Sequence, residues 1–194
     1  VSGNNLFWIF ISSMLVNNFT LMLFLGLCAF MGISNKIATA IRMGAADTFV
    51  LVLTALAVWF LNTFVLAQAP YLRIIAFIVV IAGLVQIVEM IIKKASPALF
   101  RELGIYLPLI TTNCAILGLA MFQTSRGYGL AEGLVFAVGS GLGLTLALIL
   151  MASIREELEL ADLPAASKGM GLIFIVAGGL SLAFMGFAGL FSAA

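Results

Sequence analysis

The sequence predicts an all-α membrane protein: six transmembrane helices arranged as two inverted three-helix repeats, with the first and fourth helices broken. Three observations predict it. Of 194 residues, 64% are hydrophobic and only 9% charged, whereas a soluble domain carries about a quarter charged residues. Six apolar segments reach the length of about 20 residues that a spanning helix needs. The halves of the chain also echo each other in a three-plus-three pattern. Three is odd, so the second copy must enter the membrane from the opposite face. The chain reads as a single integral membrane domain over residues 1–194, with repeats at approximately 6–93 and 103–191.

The first span, approximately Leu6–Ile33, is about 28 residues, or roughly 42 Å of helix. That exceeds a hydrocarbon core of about 30 Å, so it must tilt, protrude or break, and Asn17-Asn18 is the expected break. The second span, Ala45–Leu66, starts near Asp47, and the third, Tyr71–Ile92, carries Glu89 four residues before Lys93. The fourth, Leu103–Phe122, holds Gly104, Pro108 and then Thr111-Thr112-Asn113. Pro108 cannot donate its backbone bond and clashes with the carbonyl four residues back. Irregular backbone at membrane depth survives only where protein or a water-filled cavity surrounds it. The fifth span, Leu130–Ile154, contains Gly139, Ser140, Gly141 and Gly143. No strand precedes them, so they read as close helix packing and not as a phosphate loop. The sixth, Met170–Phe191, holds Phe174-Ile175-Val176-Ala177-Gly178-Gly179-Leu180, an echo of Phe77-Ile78-Val79-Val80-Ile81-Ala82-Gly83-Leu84.

Charge sets the orientation. The first, third and fifth loops hold seven basic residues (Lys36, Arg42, Lys93, Lys94, Arg101, Arg155 and Lys168) against two, Arg73 and Arg126, on the other side. The positive-inside rule then puts the odd loops in the cytoplasm and both termini outside. A net charge of +1 gives no reason to expect nucleic acid or an acidic partner. The N-terminal stretch lacks the positive region and cleavage site of a signal peptide. Asp47 and Glu132 are expected to favour helix N-termini, and Glu89 to pair with Lys93. Asn62, Gln86 and Asn113 read as interhelical hydrogen-bonding groups, and the acidic run from Glu156 to Asp162 as a solvated loop.

The chain has no histidine and two cysteines. The words Cys28-Ala29-Phe30-Met31-Gly32 and Cys114-Ala115-Ile116-Leu117-Gly118 match, and each lies in one of the two broken spans. Taken singly, a buried cysteine is a small hydrophobe. Paired in this way, the two suggest a shared metal or redox centre. A disulfide would leave the polar Thr-Thr-Asn neighbourhood unexplained, and zinc would lack histidine. An iron–sulfur cluster wants four thiolates, which two from this chain and two from a similar partner would supply.

Val16-Asn17-Asn18-Phe19, Phe24-Leu25-Gly26-Leu27-Cys28-Ala29-Phe30-Met31-Gly32 and Gly104-Ile105-Tyr106-Leu107-Pro108-Leu109-Ile110-Thr111-Thr112-Asn113-Cys114-Ala115 resemble the A-type subunits of Rnf complexes. The resemblance continues through Ser96-Pro97-Ala98-Leu99 and Ile154-Arg155-Glu156 to Leu182-Ala183-Phe184-Met185-Gly186-Phe187, nearly the whole chain. The same superfamily holds the matching E-type subunit of the sodium-pumping NADH:quinone reductase. The Asn-Asn pair and the Thr-Thr-Asn-Cys form lean toward Rnf.

The resemblance implies a multi-pass component of the bacterial inner membrane, within an ion-translocating ferredoxin:NAD oxidoreductase that moves Na+ or H+. It implies that the partner is a homologous, oppositely oriented E-type subunit, with B-, C-, D- and G-type subunits beside it. Cys28 and Cys114 would be this chain's two ligands to a [2Fe-2S] cluster shared with that partner. Flavins and further iron–sulfur clusters would sit on the other subunits, leaving no complete active site on this chain. A secondary transporter with inverted repeats, or a scaffold whose cysteines merely pack, fits the same architecture.

Overall fold

A computed structural model describes residues 6–16, 18–28, 37–64, 70–95, 110, 113–160 and 170–192. Those residues form helices α1 (Leu6–Ile11), α2 (Phe19–Met22), α3 (Ile37–Phe64), α4 (Arg73–Ala95), α5 (Cys114–Ser125), α6 (Leu130–Leu160) and α7 (Met170–Ser192). A π-helical segment, Ser12–Val16, follows α1, and a 3-10 turn, Pro70–Leu72, leads into α4. Among the described residues, three stretches are long and apolar enough to cross a membrane: Ile37–Phe64, Arg73–Ile91 and Leu130–Leu158. The apolar stretches Leu6–Met22, Cys114–Ser125 and Gly171–Gly186 are shorter. The expected features at Asn17, Gly104, Pro108, Thr111, Thr112 and the Ala161–Pro164 end of the acidic run lie outside the described residues.

The two longest helices form the centre. α3 and α6 pack along each other, and each carries a glycine one turn before a threonine. Gly44 faces Thr145, and a Cβ added there would lie 2.5 Å from its Oγ1. Gly141 faces Thr48 in return, with a Cβ meeting its Oγ1 at 2.6 Å. Each threonine hydroxyl donates back to the carbonyl of its own glycine, Thr48 to Gly44 at 2.7 Å and Thr145 to Gly141 at 2.8 Å. The hydroxyls are thereby satisfied inside the apolar contact, and the methyl groups face the neighbouring backbone. Close approach through small residues is the usual way helices associate where lipid removes the hydrophobic drive. Gly139 and Gly143 turn to the first span, meeting Ser13 and the Met14 carbonyl. The glycine run therefore packs helices, in keeping with its sequence context.

The remaining elements brace this pair crosswise. α1 and the π-helical segment pack on α6, and α5 packs on α3. α4 touches α3 and α5, and α7 touches α2, the π-helical segment and α6. Phe77, Phe136, Met43, Leu51, Ile116, Leu119, Leu144 and Leu148 fill the interior and are all nearly inaccessible. The outer side is equally apolar, with Phe49, Phe60, Val79, Ile175 and Leu182 exposed on this chain.

Two boundaries differ from the sequence reading. α3 begins at Ile37, well before Ala45, because nothing in Ile37–Met43 breaks a helix and Ala40 and Met43 are fully buried. Arg42, expected in a loop, is therefore an exposed residue of the first turns of α3. α6 runs to Leu160, so Arg155, Glu156 and Glu157 are helical and not loop. At 31 residues it is about 46 Å long, longer than the hydrocarbon core, and its exposed Glu156 and Glu157 fall at the projecting end.

Candidate functional site

The first span is interrupted where its polar residues begin. Ser13 Oγ donates to the Phe10 carbonyl at 3.0 Å inside the π-helical turn. Such bulges are frequent at functional sites. Asn18 then leaves the helix: its Oδ1 accepts the Thr20 amide at 3.1 Å, and its Nδ2 donates to the Gly143 carbonyl of α6 at 2.9 Å. After α2 the backbone turns sharply, with Phe24 at φ 54° and Gly26 at φ 88°. Only glycine adopts the latter without strain.

That turn carries the loop of the first cysteine to the second. Leu25 lies against Gly118 of α5, and Gly26 abuts Asn113 and Ala115 at the start of α5. The Gly26 amide donates to Cys114 Sγ at 2.9 Å. Cys28 follows two residues later and is exposed on the chain's surface, while Cys114 is half-buried; both are free thiols. The segment that leads into one cysteine word thus rests on the start of the other.

Cys114 is the first residue of α5 because Asn113 caps it. Asn113 has extended backbone, and its Oδ1 accepts the Ala115 amide at 3.0 Å. An asparagine here satisfies one of the amides that every helix start leaves without a partner. The Cys114 sulfur thus sits at a helix N-terminus with a backbone amide aimed at it. This donor set suits a metal-bound sulfur: hydrogen bonds to sulfur are among the features that tune iron–sulfur clusters. Among the described residues no group of three or more His, Cys, Asp or Glu converges. The chain has two cysteines in all, so it can offer at most half of a four-thiolate set.

Behind the cap sits a carboxylate that the sequence reading places elsewhere. Asp47 is expected at a helix N-terminus. Because α3 starts at Ile37, Asp47 instead lies three turns inside it, 0% exposed. Its Oδ1 accepts from Asn113 Nδ2 at 3.2 Å. Its Oδ2 is buried with no hydrogen-bond partner. Glu132, read in the same way, does lie in the first turn of α6, where it accepts the Gly129 amide at 3.1 Å. Asn113 bridges helices as expected. Asn62 and Gln86, expected to do the same, are exposed on this chain. Gln123 fills that role instead, donating to the Ala55 carbonyl of α3 at 3.1 Å. Sequence reasoning misses it because an isolated glutamine near a helix end carries no periodic signal. Glu89 is half-buried on α4, one turn before Lys93.

Fold and site together define an integral membrane protein of the helical, multi-span class. The chain belongs to the Rnf-Nqr family, described as membrane-protein subunits, whose pattern matches residues 6–191. It is 55% identical to the A-type subunit of the ion-translocating oxidoreductase complex of Syntrophotalea carbinolica, over 96% of this chain and 97% of that protein. It is 53% identical to the protein of that name from an Azoarcus species, covering 91% of this chain and 92% of that protein. The corresponding Sodalis glossinidius protein is 48% identical, over 96% of this chain and 98% of its own length.

Proposed function

We propose that this chain is a membrane component of an Rnf-type ion-translocating oxidoreductase complex, and that Cys28 and Cys114 are its two ligands to a [2Fe-2S] cluster shared with a homologous subunit. The observation that carries the reading is the Gly26 amide on Cys114 Sγ, which seats the Cys28 loop on the start of α5. Three further features favour it. Both thiols are free, Cys28 faces outward where a partner can reach it, and Cys114 lies at a capped helix start. Bound there, the cluster would store one electron inside the membrane.

The chain's own residues prepare the place. The Gly26 amide and the α5 N-terminus offset negative charge on sulfur, which is costly in low dielectric if uncompensated. The name shared by the relatives supports electron transfer coupled to ion movement by a complex of several subunits; Na+ or H+ as the ion, and the other Rnf subunits as partners, are part of the proposal.

An inverted repeat of two three-span units is part of the proposal. It is supported by the reciprocal Gly44–Thr145 and Gly141–Thr48 contacts. It is supported also by the crossed packing of α1 on α6 and of α5 on α3. The basic bias of the odd loops supports termini outside the cytoplasm, and the bacterial inner membrane is part of the same proposal.

The test is the purified complex. Iron is counted per complex, and the paramagnetic-resonance spectrum is recorded after reduction. Cys28→Ser and Cys114→Ser should each remove one [2Fe-2S] signal and stop electron-coupled ion transport. Normal transport with both cysteines replaced would overturn the assignment.

A further inference from the structure

We propose that Asp47 is a positioning residue for Cys114, acting through the side chain of Asn113. The inference rests on the reading of Cys114 as a cluster ligand and extends it to a residue on another helix.

An asparagine side chain can be turned over, exchanging oxygen and nitrogen at little steric cost. At Asn113 only one orientation works. With Nδ2 toward α3 it donates to Asp47 Oδ1 at 3.2 Å, and Oδ1 then accepts the Ala115 amide at 3.0 Å. Turned over, Oδ1 would face a carboxylate oxygen and Nδ2 would face an N–H. Both bonds would be replaced by repulsions. Asp47 Oδ1 is the acceptor that faces Asn113, so Asp47 favours the orientation that caps α5. The cap fixes the first turn of α5, and Cys114, its first residue, is thereby held against the Gly26 amide.

The position of Asp47 argues that its role is specific. It is fully buried in a spanning helix, and its Oδ2 has no hydrogen-bond partner. Acidic groups at membrane depth are expensive, and an apolar residue would pack there at less cost. At Asn18 the corresponding donor goes to a backbone carbonyl, that of Gly143, so a carboxylate is not needed merely to satisfy an asparagine. What it adds at Asn113 is a side-chain acceptor oxygen held on α3.

The experiment compares five forms of the whole complex: wild type, Asp47→Leu, Asp47→Asn, Asn113→Asp, and the exchange Asp47→Asn with Asn113→Asp. Thr54→Val is the control, since Thr54 is equally buried on α3 with an unpartnered hydroxyl. The readouts are iron per complex, the g-values of the reduced cluster, and the rate at which a maleimide alkylates Cys114 after iron is stripped. Asp47→Leu should lose half or more of the iron, shift the g-values and alkylate several-fold faster. Asp47→Asn, which keeps an acceptor oxygen, and Thr54→Val should match wild type.

Asn113→Asp opposes two carboxylates and should resemble Asp47→Leu. The exchange restores one donor facing one acceptor and should regain the wild-type spectrum. Asp47→Leu with unchanged iron, spectrum and alkylation overturns the inference. If Asp47→Leu does not assemble, the exchange decides: a spectrum no nearer wild type than that of Asn113→Asp overturns it equally. A wild-type complex without iron defeats the cluster reading itself. Positioning is then judged by alkylation, and equal rates for wild type and Asp47→Leu overturn it.

Discussion

Two asparagines perform the same local task, one against α6 and the other against α3, and the difference between them separates scaffold from site. Asn18 and Asn113 each accept the amide two residues further on, and each donates across to one of the long helices. The partner of Asn18 is a backbone carbonyl, which any residue at position 143 would offer; glycine stands there because the Met14 carbonyl lies 2.7 Å from where a Cβ would project. The partner of Asn113 is a side chain, Asp47, whose burial only a particular residue can justify. One arm is therefore held by the fold. The other is held by chemistry that a single substitution removes, and it is the arm that carries Cys114.

Four substitutions test how far the two arms differ. The largest effect is expected from Gly141→Val, which puts a branched side chain into Thr48. The clash parts α3 from α6 and breaks both arms together. The variant should fail to accumulate in membranes, as read by immunoblot against a wild-type standard. Next is Asn113→Ala, which removes a cap worth about 1 kcal/mol and strips the Asp47 carboxylate of the amide that donates to it. An unsatisfied buried group costs about 1–3 kcal/mol, more for a charged one. Under the site reading, the complex loses its cluster signal together with several degrees of thermal-inactivation midpoint.

Asn18→Ala removes a similar local bond but strands no buried side chain, because the Gly143 carbonyl remains within the α6 backbone. A destabilisation of about 1 kcal/mol with the cluster signal intact is expected. Equal loss of signal from both asparagine variants would erase the distinction between the arms. Glu132→Gln is the smallest. Its acceptor serves the exposed Gly129 amide at the start of α6, and an amide oxygen can take that bond. Thermal stability should shift by well under about 1 kcal/mol, with iron content unchanged.

The contrast between Asp47 and Glu132 shows where sequence reading runs out. Both are lone acids near the apparent start of an apolar run, so both look like helix N-terminal charges. For Glu132 the run and the helix start together, since Gly127 and Gly129 precede it. For Asp47 the helix starts ten residues earlier at Ile37, within a polar-flecked stretch that hydropathy alone assigns to a loop. Helix formation there depends on Ala40, Met43 and Gly44 packing in the core, and periodicity does not reveal such packing. The projecting end of α6 escapes notice for the same reason: Arg155, Glu156 and Glu157 are good helix formers, and only their charge suggests a loop.

What the sequence determined by itself was the solvent and the chemical inventory. A chain 64% hydrophobic and without histidine must live in lipid and can offer sulfur but not imidazole. The matched cysteine words and the polar breaks were legible because apolar runs make every exception visible. Only the tertiary structure decided which exceptions meet. Gly26 is 88 residues from Cys114, and Asp47 is 66 from Asn113. Contacts at such separations follow from where α3 and α6 cross, and that crossing is set by the reciprocal fit of two glycines and two threonines. Composition and spacing record which residues are present, whereas the orientation of an amide or a sulfur is fixed by the neighbours that packing brings within about 3 Å.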